Sequence, residues 1–169
     1  DQETYMPSGA IDERADQLAF VETLSHQKKT SPEIGEILEV LGSTSANPSG
    51  PESLPTVDRA YLRVMRRQYD QTTKIPAELV SEMAQATSLS QAAWIEARKN
   101  DDFRSFAPHL SRMLDFNKQI AACLDPSRKP YDVLLDQYEE GATEPQIAAV
   151  FGALRTDLVT LLDKIRGRP

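Results

Sequence analysis

The sequence predicts an all-α protein, an antiparallel array of helices without a strand. Three observations carry this prediction. Apolar residues recur at steps of three and four along most of the chain, the period of a helix with one buried face. Ala, Leu, Glu, Gln and Arg dominate those stretches, and runs of alternating β-branched residues are missing. Proline, glycine and small polar residues fall where helices start and stop.

In chain order, DQETYMP at residues 1–7 reads as an extended lead-in, and the Ser8 hydroxyl as a helix cap. Asp12 and Glu13 suit the first turns, Lys28 and Lys29 the last, and Ile11, Ala15, Leu18, Ala19 and Leu24 the inner face. Ser31, Pro32 and Glu33 restart a helix with Ile34, Ile37, Leu38 and Leu41 inward, and Gly42 closes it. Residues 43–56 (STSANPSGPESLPT) have no apolar face to bury, which predicts a flexible, poorly ordered surface loop open to proteolysis. A third helix over 57–73 turns Val57, Ala60, Tyr61 and Val64 inward.

The stretch Ile75–Asn100 is the expected hub. Pro76 suits its first helical position, and Val80, Met83, Thr87, Ser90, Trp94 and Ala97 form its inner line. Leu79, Ala86 and Ala93 widen that line to about a third of the circumference. Phe103 and Phe106 are expected to fill a corner before Pro108 opens a helix that buries Leu110, Met113, Leu114, Ile120 and Leu124. Pro130 leads a short helix ended by Gly141. Thr143 and Gln146 have capping-box spacing ahead of the longest apolar stripe, Ile147, Val150, Phe151, Leu154, Leu158, Leu161, Leu162 and Ile165. The sum is seven helices in one region spanning 1–169.

With 40% hydrophobic residues, 169 residues can bury a sizeable core. A net charge of −7 argues against non-specific nucleic-acid binding, which needs an electropositive surface. No apolar run approaches the roughly 20 residues of a membrane span. The single cysteine, Cys123, reads as a small core residue in a reducing compartment, and the chain as cytoplasmic. It starts at Asp1 without a methionine, which suggests a piece of something longer.

Chemistry is sparse. His26 and His109 lack ligand spacing, and no nucleophile elbow or glycine-rich phosphate loop occurs. No catalytic or metal residue is therefore assigned, and no cofactor. The best functional hint is basic: Arg59, Arg63, Arg66 and Arg67 share one broad helical face, with Lys74 just beyond. Such a face is commonly solvated and paired with acids on a neighbour. The sharper reading is an electropositive wall beside a groove that takes anionic groups, such as a peptide carboxylate. Trp94, on the hub's apolar line, reads first as a core anchor and second as a ligand platform.

Three segments carry a resemblance. DQETYMPSGAIDERADQLA resembles an Asp-x-x-Thr-x-Met-Pro motif followed by Arg-Ala-x-Gln-Leu-Ala. The hub shows Ala-x-x-x-Trp-x-x-Ala-Arg leading into Asp102, Phe103, Phe106, Pro108 and Leu110, and PYDVLLDQYEEGAT follows in order. Together they resemble the carboxypeptidase Taq family of zinc metallocarboxypeptidases along nearly the whole chain. Ser8-Gly9 departs from the Pro-Gly that often follows Met-Pro in the family. The resemblance implies a larger, almost wholly helical fold with a deep groove. It also implies zinc held by His-Glu-x-x-His and a downstream glutamate, and release of C-terminal amino acids from peptide substrates.

The residues of that metal centre are absent here, so the resemblance implies the N-terminal, groove-covering part, inactive alone. Its expected partners are peptide substrates, the missing catalytic part of the same chain, and a second copy in a homodimer of the parent. Zinc is expected in the parent only, with no nucleic acid and no membrane. The rival reading is a stand-alone helical peptide- or protein-binding module without catalysis.

Overall fold

The structure, a computed structural model, describes residues 5–167. Residues 1–4, the start of the Asp-x-x-Thr-x-Met-Pro motif, and the Ser8 side chain expected to cap a helix lie outside what is described. Among the described residues a single 3-10 turn, Ser8–Ala10, precedes seven α-helices: α1 Ile11–Lys29, α2 Pro32–Val40, α3 Thr56–Thr72, α4 Ala77–Lys99, α5 Phe103–Leu124, α6 Pro130–Leu135 and α7 Glu144–Arg166. No strand occurs among the described residues, and no helix there is long and apolar enough to cross a membrane.

The chain divides into two compact units, Asp1–Leu124 and Asp125–Pro169. In the first, α4 packs on both α1 and α5. The buried residues of this pair are mostly small: Ala15 and Ala19 on α1, and Ala86, Ser88, Ser90 and Ala97 on α4. Short side chains let two helix axes approach closely, and close approach multiplies weak dispersion contacts. Gln85 fastens the pair by donating to Asp16 Oδ1 over 2.8 Å. Leu79 and Ala86 of α4 meet Phe116 of α5, with Ile75, Met83, Met113, Ile120 and Cys123 around them. Lys74 Nζ donates to the Leu124 carbonyl at 3.0 Å, satisfying an acceptor at the end of α5.

Several helix starts differ from their sequence prediction. The α4 helix begins at Ala77, with Pro76 as the extended residue before it. Its buried line runs through Leu79, Ala86, Ser90 and Ala97, while Thr87 and Trp94 are exposed. The α5 helix begins five residues before Pro108, because the Asp102 carboxylate accepts the Ser105 N–H at 3.2 Å and caps the first turn. Phe103 is 67% exposed and fills no corner. On α3, Leu62 is the buried residue, and Val57, Tyr61 and Val64 face outward.

The 43–56 segment has something to bury after all. Ser43 is completely enclosed, donates to the Pro48 carbonyl at 2.7 Å, and its own N–H closes α2 on Leu38. Thr44 and Asn47 exchange backbone bonds of 3.1 Å. Gly50 is buried at φ +68°, and a Cβ there would lie 3.0 Å from Leu62 Cδ1 and 3.2 Å from the Leu41 carbonyl. Only glycine fits both the angle and the space. A similar close approach joins α2 to α3, where a Cβ on Gly35 would lie 2.6 Å from the Tyr69 hydroxyl.

In the second unit, α6 buries Val133 and packs on α7. The Asp132 carboxylate accepts the Glu144 N–H at 2.7 Å, and Gln146 Oε1 accepts the Thr143 N–H at 2.9 Å, completing the capping box the spacing predicts. Beyond that start, α7 has no buried residue. Its apolar stripe is presented outward, from Val150 at 61% exposure to Ile165 at 58%.

Candidate functional site

The arginine face of α3 separates into residues with different duties. Arg66 is held: its Nε lies 2.9 Å from Asp70 Oδ1, and its two terminal nitrogens donate to the Ser43 carbonyl at 3.2 Å and to Ser45 Oγ at 3.1 Å. Ser45 in turn donates to Asp70 Oδ2 at 3.2 Å. The planar fork of arginine matches this arrangement, three acceptors reached from one rigid group. Arg66 thus binds the 43–56 segment to α3. Arg63 and Arg67 are each engaged by a neighbouring group, and Arg59 has a buried Nε without a hydrogen-bond partner among the described residues.

The two histidines have separate settings. His26 is buried in the last turn of α1, where its carbonyl accepts both the N–H and the hydroxyl of Thr30 at 2.9 Å. His109 stacks on Phe106 with ring centroids 6.4 Å apart. Cys123 lies half-buried against the core. Among the described residues no three His, Cys, Asp or Glu side chains gather as a metal site would require. The described residues do not fit a catalytic zinc.

A better-formed concavity lies on α4, beside the tryptophan that the sequence reads first as a core anchor and second as a ligand platform. Trp94 is 41% exposed and Ile95 is 38% exposed. Together with Met6 and Ile11 they line a cavity of about 860 Å³, whose rim carries Glu96, Arg98 and Lys99. The Arg98 guanidinium carbon stands 5.5 Å from the centroid of the Trp94 ring, a cation–π stack. A second cavity of about 500 Å³ shares Trp94 and Arg98 with the first and is also lined by Asp101, Asp102, Phe103 and Phe106.

Two of the segments that carry the family resemblance meet here: Met6 from the first, and Trp94, Ala97 and Arg98 with the following Asp102, Phe103 and Phe106 from the second. Core packing alone does not require a tryptophan that exposed. The signal available in the sequence was the position of Arg98 four residues after Trp94, one helical turn on, which places a cation over the ring.

Comparison with known proteins agrees along the whole length. The family model described as Carboxypeptidase Taq (M32) metallopeptidase matches residues 1–169. Thermostable carboxypeptidase 1 of Thermus thermophilus is 37% identical over 178 aligned positions, which cover 99% of this chain and 34% of the relative. Thermostable carboxypeptidase 1 of Pyrococcus furiosus is 34% identical, covering 98% of this chain and 32% of the relative. Among solved structures, the BsuCP crystal structure superposes with a TM-score of 0.81 at 25% identity, over 96% of this chain and 31% of that one. A Pyrococcus furiosus carboxypeptidase structure described as apo-Mg gives 0.76 at 33% identity, over 96% of this chain and 31% of that one. The chain therefore spans about a third of the length of the curated relatives it matches. It belongs to the carboxypeptidase Taq metallopeptidase family.

Proposed function

We propose that residues 1–169 are the N-terminal, groove-covering part of a zinc-dependent carboxypeptidase that releases C-terminal amino acids from peptides, and that they are inactive alone. The observation that supports this reading is the family match along all 169 residues by a chain spanning about a third of its relatives. In this reading the catalytic centre belongs to sequence outside the described residues, among which no metal-binding cluster occurs. The outward apolar faces of α7, and of Phe20 and Val21 on α1, are the surfaces such further sequence would cover. Arg59, Arg63 and Arg67 add positive potential to α3 and help steer peptide carboxylates toward the groove, while Arg66 keeps its structural duty. The parent is a cytoplasmic homodimer in this reading.

The test begins with the coding sequence beyond Pro169, where a His-Glu-x-x-His helix is expected. A stop codon at that point would sink the enzyme reading and leave a helical binding module. The 169-residue chain, purified and supplied with zinc, is expected to release no C-terminal residue from peptides. Stoichiometric zinc uptake accompanied by such release would overturn the assignment of inactivity.

A further inference from the structure

We propose that a cavity between α1, α2 and α3 is a binding site for a medium-chain aliphatic carboxylate, with the charged head on Lys29 and Tyr69 and the tail on Ile34 and Met65. The site lies apart from Trp94 and does not rest on the peptidase reading.

The cavity measures about 550 Å³, within the roughly 300–1,000 Å³ typical of small-ligand pockets. It is lined by Lys29 from the end of α1, Ile34 from the first turn of α2, and Met65, Gln68, Tyr69 and Thr72 from α3. The α3 members stand at i, i+3, i+4 and i+7, so a single helix face supplies most of the wall.

Tyr69 is set in place by a missing side chain. A Cβ on Gly35 would lie 2.6 Å from the Tyr69 hydroxyl oxygen and 3.0 Å from its Cζ, so glycine is what lets the phenol lie against α2. That packing fixes the hydroxyl beside the cavity, yet among the described residues it has no hydrogen-bond partner. The Lys29 ammonium and the Gln68 amide are unpartnered in the same sense. Thr72 is occupied, its hydroxyl donating to the Gln68 carbonyl at 2.7 Å. Free polar groups at the edge of an apolar surface made by Ile34 and Met65 are the arrangement of a ligand site.

The donors select the head group. Lys29 and Tyr69 both donate, and one ammonium balances one negative charge, which matches a carboxylate better than a phosphate monoester carrying close to two. The neighbouring acids do not compete. Asp70 is held by Arg66 at 2.9 Å and by Ser45 at 3.2 Å, and Glu33 in the first turn of α2 does not line the cavity. Ile34 and Met65 offer the amide groups of a peptide no partner, which selects a hydrocarbon tail.

The four methionines make the site separable from every other hollow. Met65 lines this cavity, Met6 the one beside Trp94 and Met83 an apolar groove on α4, while Met113 packs on the α4–α5 core. The 169-residue chain, carrying carbon-13 in its methionine methyl groups, is titrated with sodium hexanoate, sodium octanoate, octanamide and N-acetyl-Ala-Ala. Octanoate is expected to shift the Met65 resonance saturably and to leave those of Met6, Met83 and Met113 in place. It should bind about tenfold more tightly than hexanoate, since each buried CH₂ is worth roughly three- to fourfold. It should also bind at least about tenfold more tightly than the uncharged amide and the dipeptide. Lys29→Gln should bring octanoate to the level of octanamide, and Tyr69→Phe should weaken it a few-fold by removing one hydrogen bond. Lys28→Gln, one position away on α1 and outside the cavity, should change nothing. The ligand comparisons are made on the unaltered chain, so they stand even where a variant folds poorly. A shift at Met6 or Met83 in place of Met65, equal affinity for octanoate and either octanamide or the dipeptide, no effect of Lys29→Gln in a folded variant, or no saturable shift up to about 10 mM would each overturn the site.

Discussion

The α4 and α7 helices are each 23 residues long, and each carries a long apolar pattern, yet they lead opposite lives in this chain. The α4 helix buries Leu79, Ala86, Ser88, Ser90 and Ala97 between two neighbours, whereas α7 buries nothing. The α7 residues Ile147, Phe151, Leu154, Leu158, Leu161 and Ile165 alternate steps of four and three, a regular seam of the kind that seats another helix. The α4 pattern is less regular and rich in Ala and Ser. The difference teaches that apolar periodicity states which face a helix is ready to bury, and small residues state how closely a neighbour can come. Whether the face is buried depends on a partner, which α4 has in α1 and α5.

The sharpest way to break this contrast is to remove the side chain that closes the α4–α5 contact. Phe116 is 4% exposed and packs on Leu79 and Ala86, with the Arg112 guanidinium 5.4 Å from its ring centroid. Phe116→Ala leaves a large void that helices of this length cannot fill by shifting. It should cost about 3–5 kcal/mol in a denaturant titration of the 169-residue chain. A loss below about 1 kcal/mol would mean that the first unit lacks a cooperative core around α4.

An intermediate effect is expected where a loop, rather than a helix, depends on one side chain. Arg66→Ala removes an ion pair and two hydrogen bonds that join residues 43–45 to α3. Asp70 is 33% exposed, so solvent screening weakens the pair, and the expected loss is about 1–2 kcal/mol. Cleavage within 43–56 by a small amount of protease should accelerate alongside it. Arg66→Lys should recover only part of the loss, because one ammonium cannot reach all three acceptors. Full recovery by lysine would reduce the contact to simple charge.

The helices were legible because their punctuation is local: Pro32, Gly42, Pro130 and the Thr143–Gln146 box act within one turn of themselves. Burial was less legible, since it is decided by what lies across the interface. Trp94 sits on an apolar line by spacing, but Ala97 and Ala86, set around the helix from it, occupy the contact with neighbours. The 43–56 segment reads as polar, and its buried contacts come from Ser43 and Gly50 meeting Arg66 and Leu62 more than ten positions away. Pro108 misleads for a related reason: Asp102 caps the helix earlier, and a proline six residues into α5 removes one N–H without stopping it. The arginine face was visible as a pattern, but which member carries structure depended on the fold.

The smallest effect is the most informative about α7. Leu158 is 46% exposed in this chain, so Leu158→Ala should change its stability by no more than about 0.5 kcal/mol. In the longer protein proposed above, the same substitution should cost about 2–5 kcal/mol, the range of a leucine truncated inside a packed interior. The difference between the two measurements matters more than either value, since the local helix propensity change is common to both and cancels. If the loss stays small in both, α7 remains solvent-facing and its regular seam has no intramolecular partner. A large loss already in the 169-residue chain that disappears on dilution would instead identify a second copy as the partner, because only an intermolecular contact weakens with concentration.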